Sequence, residues 1–361
     1  MSRVAMTGAN GFLGWHTKLA LQEQGAEIAS VAVGNGFDPE YARAAISGAT
    51  RAIHIAGVNR GEESAVSEGN ICFAEQFAEA LSAAAEPPPV VVYANSTQST
   101  NGSIYGESKA RAAAIVADAA AAVGAEYVNV MLPNLFGEHG RPFYNAVTAT
   151  FCHLLASGQH PSVENDKELT LLHAQNAADL LTGVTSSTTE VKESVSGLLT
   201  RLTEIAETYS LGDIPDIADP FQLDLFNTFR SYTFESSTPI RPTRHADARG
   251  SFFEILRSHG GEGQSSFSTT VPGISRGDHF HRRKVERFTV LAGRGTISLR
   301  KLFTDRVYDF AVDGDQPAAV DMPTGWAHKI ANTGSEMLYT SFWTNDLFDP
   351  KHPDTIAEAV S

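Results

Sequence analysis

Residues 3–7, Arg-Val-Ala-Met-Thr, read as a β-strand that runs straight into Gly8-Ala-Asn10-Gly11-Phe12-Leu13-Gly14, after which a helix extends to about Gln24 and stops at Gly25. No other stretch narrows the fold as much. Glycines let the backbone turn tightly and approach a pyrophosphate, whose charge the free N–H groups of the helix N-terminus then bind. Gly8, Asn10, Gly11, Phe12, Leu13 and Gly14 are therefore candidate dinucleotide contacts. Glycine triplets alone arise often by chance, whereas strand, glycines and helix in immediate succession are far more specific. A second strand is expected near Ile28–Val33, and Arg51–Asn59 reads as the fourth strand and its cofactor-facing turn, with Ala56 and Gly57 at the turn. A helix over Asn70–Ala85, a break at Pro87–Pro89, the apolar run from Val90 and a strand over Glu126–Leu132 complete the alternation. Such a pattern predicts a doubly wound parallel sheet.

The GxxGxxG spacing resembles that of extended short-chain dehydrogenases/reductases. Ser96 stands at the end of a predicted strand, and Tyr105-Gly-Glu-Ser-Lys109 opens an alanine-rich helix just beyond it. Tyr and Lys at i and i+4 share one helix face. A nearby ammonium would lower the tyrosine pKa, so that the phenol can exchange a proton with a carbinol or ketone, and Ser96 can hydrogen-bond the same oxygen. Ser96, Tyr105 and Lys109 are the candidate reduction set, with Tyr105 and Lys109 also facing the cofactor. An isolated YxxxK is more often an ordinary surface pair; the glycine fingerprint upstream shifts the balance to catalysis. No Asp or Glu stands where an NAD ribose clamp is expected after the second strand, and no arginine is placed for a 2′-phosphate, so NADPH is favoured only by the missing carboxylate and NADH stays open.

From Pro133 to about residue 235 helical runs and loops take over, as in the substrate lobe of extended dehydrogenases (about 134–238). Asn134 and Asn145 are candidate hydrogen-bonding residues for a nucleotide or sugar there, or equally loop asparagines. Ser236-Ser-Thr-Pro-Ile-Arg-Pro-Thr is the expected joint, giving domains over 1–238 and 239–361. The second part reads as short strands between Gly/Asp turns, an all-β jelly roll.

Within it lies Gly273-Ile-Ser-Arg-Gly-Asp-His279-Phe-His281-Arg-Arg-Lys-Val-Glu286, followed at the same spacing by Gly293. Two histidines one residue apart on a strand point the same way, Glu286 follows after a short turn, and Pro323-Thr-Gly325-Trp-Ala-His328 offers a third imidazole. Three nitrogens and a carboxylate suit a divalent transition ion, zinc or another. The first stretch matches the cupin motif G(X)5HXH(X)4E(X)6G at every defined position. The second cupin motif fits at Pro323, Gly325, His328 and Asn332, with its leading glycine displaced.

The balance of 27 basic and 42 acidic residues, a net charge of -15, disfavours nonspecific binding to nucleic acid or anionic membranes. Only Cys72 and Cys152 are present, outside any CxxC pair, and both are expected to be buried small hydrophobes. No apolar run reaches membrane-spanning length and no signal peptide is read at the start, so a cytoplasmic protein is expected.

Taken together, the chain resembles the CapF family of bifunctional capsular-polysaccharide enzymes, an extended dehydrogenase/reductase fused to a C-terminal cupin. The resemblance rests on Ala56-Gly57-Val-Asn59-Arg60, Tyr105–Lys109, Pro133-Asn-Leu-Phe-Gly137, Ala149–Cys152, Arg249-Gly-Ser-Phe, the HxH stretch and Asn345–Thr355. It implies a homodimer that epimerises a UDP-4-keto-6-deoxy-N-acetylhexosamine at C3 in the cupin. NADPH would then reduce C4 in the other domain, giving UDP-2-acetamido-2,6-dideoxy-L-talose. It also implies zinc on His279, His281, Glu286 and His328. Arg249 resembles the arginine with which sugar 3,5-epimerases of this fold bind a nucleotide phosphate. In those enzymes the histidine matching His279 is a base without metal; with His279 on an ion, Lys284 or a metal-bound water becomes the candidate base. A reductase carrying a purely structural metal cupin and a dinucleotide-binding sensor are the alternatives. A sensor has no need of a proton donor, which the Ser/Tyr/Lys set supplies.

Overall fold

The computed structural model describes residues 2–361. The chain forms two compact units. The first comprises residues up to Phe136, Gly140–Thr150 and Lys167–Ser194; the second comprises Gly137–His139, Phe151–Asp166 and Val195–Ser361.

In chain order the elements up to Leu132 are β1 (Arg3–Thr7), α1 (Phe12–Glu23), β2 (Glu27–Val31), α2 (Pro39–Ile46), β3 (Arg51–His54), α3 (Glu63–Ser82), β4 (Val90–Ser96), α4 (Ile104–Ala122) and β5 (Glu126–Leu132). The strands pair in parallel in the order β2-β1-β3-β4-β5. Arg51–His54 is thus the third strand, not the fourth. Asp38 caps α2 by accepting from the Glu40 and Tyr41 amides, with Pro39 at the first helical position, so the chain turns into a helix where a further strand would have stood. Both faces of the sheet are apolar: Ala5, Val31, Phe77, Val91 and Val116 lie in one buried cluster, and Val4, Met6, Ile53, Val92 and Leu181 in another. The two expected cysteine environments differ. Cys152 is buried, but Cys72 is exposed on the outer face of α3.

There follow β6 (Asn134–Phe136), α5 (Val147–Ala156), β7 (Glu168–His173), α6 (Ala174–Thr182) and β8 (Val191–Ser194); β6, β7 and β8 make a small separate sheet. Residues 134–238 therefore do not form one lobe, because they are divided between the two units.

The second unit contains α7 (Val195–Ser210), α8 (Pro220–Ser237), a hairpin of β9 (His245–Asp247) and β10 (Gly250–Phe252), and β11 (Gln264–Thr270), β12 (Ser275–Phe280), β13 (Glu286–Ala292), β14 (Arg294–Lys301), β15 (Val307–Asp313), β16 (Ala319–Met322), β17 (Trp326–Asn332), β18 (Leu338–Thr344) and β19 (Ile356–Ala357). Two antiparallel sheets, β11-β18-β13-β16 and β15-β14-β17-β12-β19, bury Val290, Val320 and Leu338 of the first against Ile297, Leu299 and Ile330 of the second. Phe234 of α8 joins the same core, its ring 4.5 Å from Trp326. A buried ion pair ties this region together. Arg287 donates from Nη2 to Asp321 at 2.9 Å and from Nη1 to the Gly212 carbonyl at 2.6 Å, while the Tyr209 hydroxyl donates to Asp321 at 2.8 Å. Burial opposes charge on Asp321, but Arg287 prevails and holds its carboxyl low. Helices α7 and α8 thus pack with the barrel, and the Pro/Ser-rich stretch after Ser236 runs within this unit.

Candidate active site and metal centre

In the first unit the turn after β1 is built for close approach. A Cβ on Gly14 would lie 2.0 Å from the Gly8 carbonyl oxygen, so only glycine lets α1 start against that turn. Gly11 is the N-cap and no side chain occupies the cap, so the first-turn amides of Phe12, Leu13 and Gly14 point out of the helix end for an anion. The facing turn at Ala56-Gly57 is pinned by a residue the sequence did not single out. Thr7 Oγ1 accepts from the Ile55 and Ala56 amides at 3.1 and 3.2 Å and lies 2.8 Å from His54 Nδ1. Asn70 holds the next residue, accepting from the Val58 amide and donating to its carbonyl.

Ser96 ends β4, and Tyr105 lies in the first turn of α4, which Ser103 caps by accepting from the Gly106 amide. The Ser96 hydroxyl accepts from the Gln98 amide at 3.2 Å, and its side chain is near enough to Tyr105 to act on the phenol's acidity. Lys109 is buried one turn further on, but its ammonium is not aimed at the phenol. Nζ donates to the Ala94 carbonyl at 2.7 Å and sits 4.2 Å from the centre of the Tyr93 ring. Burial lowers Lys109 to about 7. Burial also raises the Tyr105 phenol, with Ser96 acting in the opposite sense. The expected ammonium-lowered tyrosine is therefore not seen, because the lysine is spent on a backbone oxygen and an aromatic face. Asn134 Nδ2 donates to the Thr170 carbonyl at 3.1 Å and Asn145 Nδ2 to the Asn59 carbonyl at 2.7 Å.

In the second unit the HxH strand converges as its spacing predicts. A bulge at Asp278, which takes φ +58°, shifts the register so that His279 pairs with His328 across β12 and β17. The neighbouring Gly277 is obligatory, since a Cβ there would meet the His328 carbonyl oxygen at 2.6 Å. The candidate ligand atoms of His279, His281, Glu286 and His328 all lie within 4.8 Å of one another, and Nε2 of His281 and of His328 stand 2.9 and 3.1 Å from the same Glu286 oxygen. Carbonyls of Asp354 and Trp326 face the other nitrogens, Nδ1, at 2.6 and 3.2 Å. A carbonyl only accepts, so it selects the Nδ1–H form and leaves the Nε2 lone pairs converging on one point. Burial lowers His279 to about 4, helped by the neighbouring imidazoles. Burial opposes charge on Glu286, yet the two imidazoles of His281 and His328 close to it keep its carboxyl well below the usual range. Neutral imidazoles around an ionised carboxylate in a buried pocket are the donor set a divalent transition ion takes, so the residues fit one.

Two other predicted residues do not join this cluster. Lys284 Nζ donates to the Pro353 carbonyl at 2.9 Å and the Thr355 hydroxyl at 3.1 Å. Arg249, on the β9–β10 hairpin, is fully exposed and paired with Asp247 at 2.6 Å.

Two family models match the sequence: the NAD dependent epimerase/dehydratase family over residues 78–190, and the polysaccharide biosynthesis C-terminal domain over residues 245–356. The chain is 30% identical, over 99% of both lengths, to the UDP-2-acetamido-2,6-beta-L-arabino-hexul-4-ose reductase of Pseudomonas aeruginosa. Its structure superposes on the capsular polysaccharide assembling protein CapF of Staphylococcus aureus with a TM-score of 0.62 at 28% identity, covering 99% of this chain and 100% of that one. The chain belongs to the CapF family. It is an enzyme that works with a nicotinamide cofactor, and both halves of a CapF-type chain are present, the parallel sheet and the antiparallel barrel. The spore coat polysaccharide biosynthesis protein SpsL of Bacillus subtilis is 27% identical over 31% of this chain and 80% of its own length. Among the described residues no helix is long and apolar enough to cross a membrane.

Proposed function

We propose that this enzyme converts a UDP-4-keto-6-deoxy-N-acetylhexosamine in two steps, inverting C3 in the barrel unit and reducing C4 in the parallel-sheet unit, to give UDP-2-acetamido-2,6-dideoxy-L-talose for polysaccharide assembly. Ser96 at the end of β4 and Tyr105 in the first turn of α4, near enough for the serine to act on the phenol, carry the reading. The reductase named above, matched end to end, supports the C4 chemistry. Ser96 orients the C4 carbonyl, and the raised Tyr105 phenol stays protonated at neutral pH to donate its proton to that oxygen. A nicotinamide cofactor held by the turns at Gly8–Gly14 and Ala56-Gly57 would supply the hydride; no acidic residue stands at the end of β2 where a ribose clamp is expected, which favours NADPH. Lys109, lowered by burial to about 7, is proposed to complete the set as the source of the replacement proton, which requires its ammonium to leave the Ala94 carbonyl during turnover. Asn134 and Asn145 are proposed to contact the sugar nucleotide bound to the first unit, and Arg249 the phosphates of a sugar nucleotide bound to the barrel unit. The family's homodimer belongs to this reading too.

In the barrel the C3 proton is acidic because it lies beside the C4 carbonyl, and a positive group at that oxygen stabilises the enolate. A divalent ion held by His279, His281, Glu286 and His328 would supply that charge. With all three imidazoles turned toward that position, none of them is a free base, and Lys284 is proposed for proton removal. Its anchorage on Pro353 and Thr355 favours a second reading, a reductase whose metal barrel is structural.

NMR in deuterated water with the 4-keto substrate and no reduced cofactor separates them. Deuterium entering at C3, and failing to do so in His281→Ala, supports epimerisation in the barrel. No exchange, with NADPH still consumed, supports the structural barrel. No NADPH consumption on any UDP-4-keto-6-deoxyhexosamine refutes both.

A further inference from the structure

The strand that carries His279 is bordered by a late segment of the chain: β19 pairs with β12, placing Ala357 opposite His279 and Ile356 opposite Phe280. Just before β19, Asp354 takes a left-handed backbone, φ +40°, and reaches back about 70 residues in sequence. Its Oδ1 accepts from the Arg282 amide at 2.9 Å, and its Oδ2 from the Arg283 and Lys284 amides, each at 2.9 Å. Its carbonyl oxygen lies 2.6 Å from His281 Nδ1. Three successive amides of the turn between His281 and Glu286 therefore end on one carboxylate, while the same residue's backbone fixes the His281 ring. Such a concave row of N–H groups is an anion seat, here filled by the protein itself. The turn fixes the spacing of two ligands, and the carbonyl fixes which nitrogen of one of them faces Glu286.

We propose that Asp354 is a positioning residue for the three-histidine, one-glutamate centre, setting its affinity for a divalent transition ion through the 282–284 turn and the His281 ring. The proposal rests on the metal reading given above. If Asp354 served only to anchor the β19 segment, its loss would lower the unfolding temperature alike with and without the ion, leaving affinity untouched. A positioning residue moves affinity and ligand field as well, since partners of metal-bound histidines are commonly worth about 10–100-fold in metal affinity.

The full-length protein, stripped with a chelator, is titrated with Co2+ and followed by its d–d absorption bands. Asp354→Gly leaves the left-handed backbone available and removes the carboxylate. Asp354→Asn keeps one acceptor and turns an NH2 toward an N–H. Thr355→Val removes only the hydroxyl that holds Lys284. Expected are a loss of Co2+ affinity of about 10–100-fold with altered bands in Asp354→Gly, a smaller loss in Asp354→Asn, and binding within about twofold of wild type in Thr355→Val. Wild-type affinity and bands in Asp354→Gly overturn the proposal, whatever that variant's unfolding temperature. Should it fail to fold, the same result in Asp354→Asn does so. Wild-type protein that binds no Co2+ would instead refute the metal reading, and the proposal with it.

Discussion

Lys109→Met should stabilise the N-terminal unit while abolishing reduction, and the gain should depend on pH in a defined way. Burial lowers Lys109 from an ordinary 10.5 to about 7 in the fold. The unfolded chain therefore binds more protons than the folded one between those two values. Stability from this group rises with pH across that window, and the penalty is complete below about pH 7. Its full size is about 5 kcal/mol at 1.36 kcal/mol per tenfold in proton affinity. Methionine fills the same space without a charge, but loses the hydrogen bond to Ala94 and the contact with the Tyr93 ring, together about 2 kcal/mol. The variant should then lead wild type by about 2–3 kcal/mol at pH 7, and that lead should shrink by about 2 kcal/mol at pH 9. Other titrating groups cancel in the difference. Pulse proteolysis in urea, reading peptides from β4 and α4, measures it at both pH values. A wild type equal to or more stable than the variant at pH 7, or a difference that does not fall with pH, would show that the ammonium is seated without cost, and the reasoning would be wrong.

Three further outcomes are expected. Tyr105→Phe should lose about 10²–10⁴ in the rate of NADPH oxidation while still binding NADPH, as read by fluorescence titration. Asp321→Ala leaves Arg287 buried without its partner and should cost the barrel unit about 3–5 kcal/mol, seen as a lower calorimetric transition. A fragment starting at Val195 should be better folded than one starting at Pro239, because the shorter one lacks Tyr209, Arg230 and Phe234; size-exclusion profiles and near-UV dichroism compare them.

What the sequence revealed was what lies within reach of a short spacing rule. The glycine turn, Tyr105 with Lys109, and the His279/His281/Glu286 run each span fewer than about twenty residues, so periodicity and turn chemistry place them. His328 was legible only because a Pro/Gly turn announced it. Contacts made across the chain were not. Nothing local says that α7 and α8 pack with strands a hundred residues later, since their apolar faces would suit either unit. The direction of Lys109 was missed for a related reason: helix spacing places the side chain on the right face, but Ala94 and Tyr93, on a different element, decide where its charge goes. Asp354 carried a faint signal, an Asp after Pro353 in a turn-like run, yet nothing in it names the amides of residues 282–284 as partners.

The interleaving of the two units has a consequence for how the protein is made. Residues 137–139 and 151–166 belong to the second unit, but emerge from the ribosome before the first unit has received its last piece, 167–194. Most of the unit they join, from Val195 on, is made only after that piece. Neither unit is therefore completed by synthesis of one uninterrupted stretch of chain.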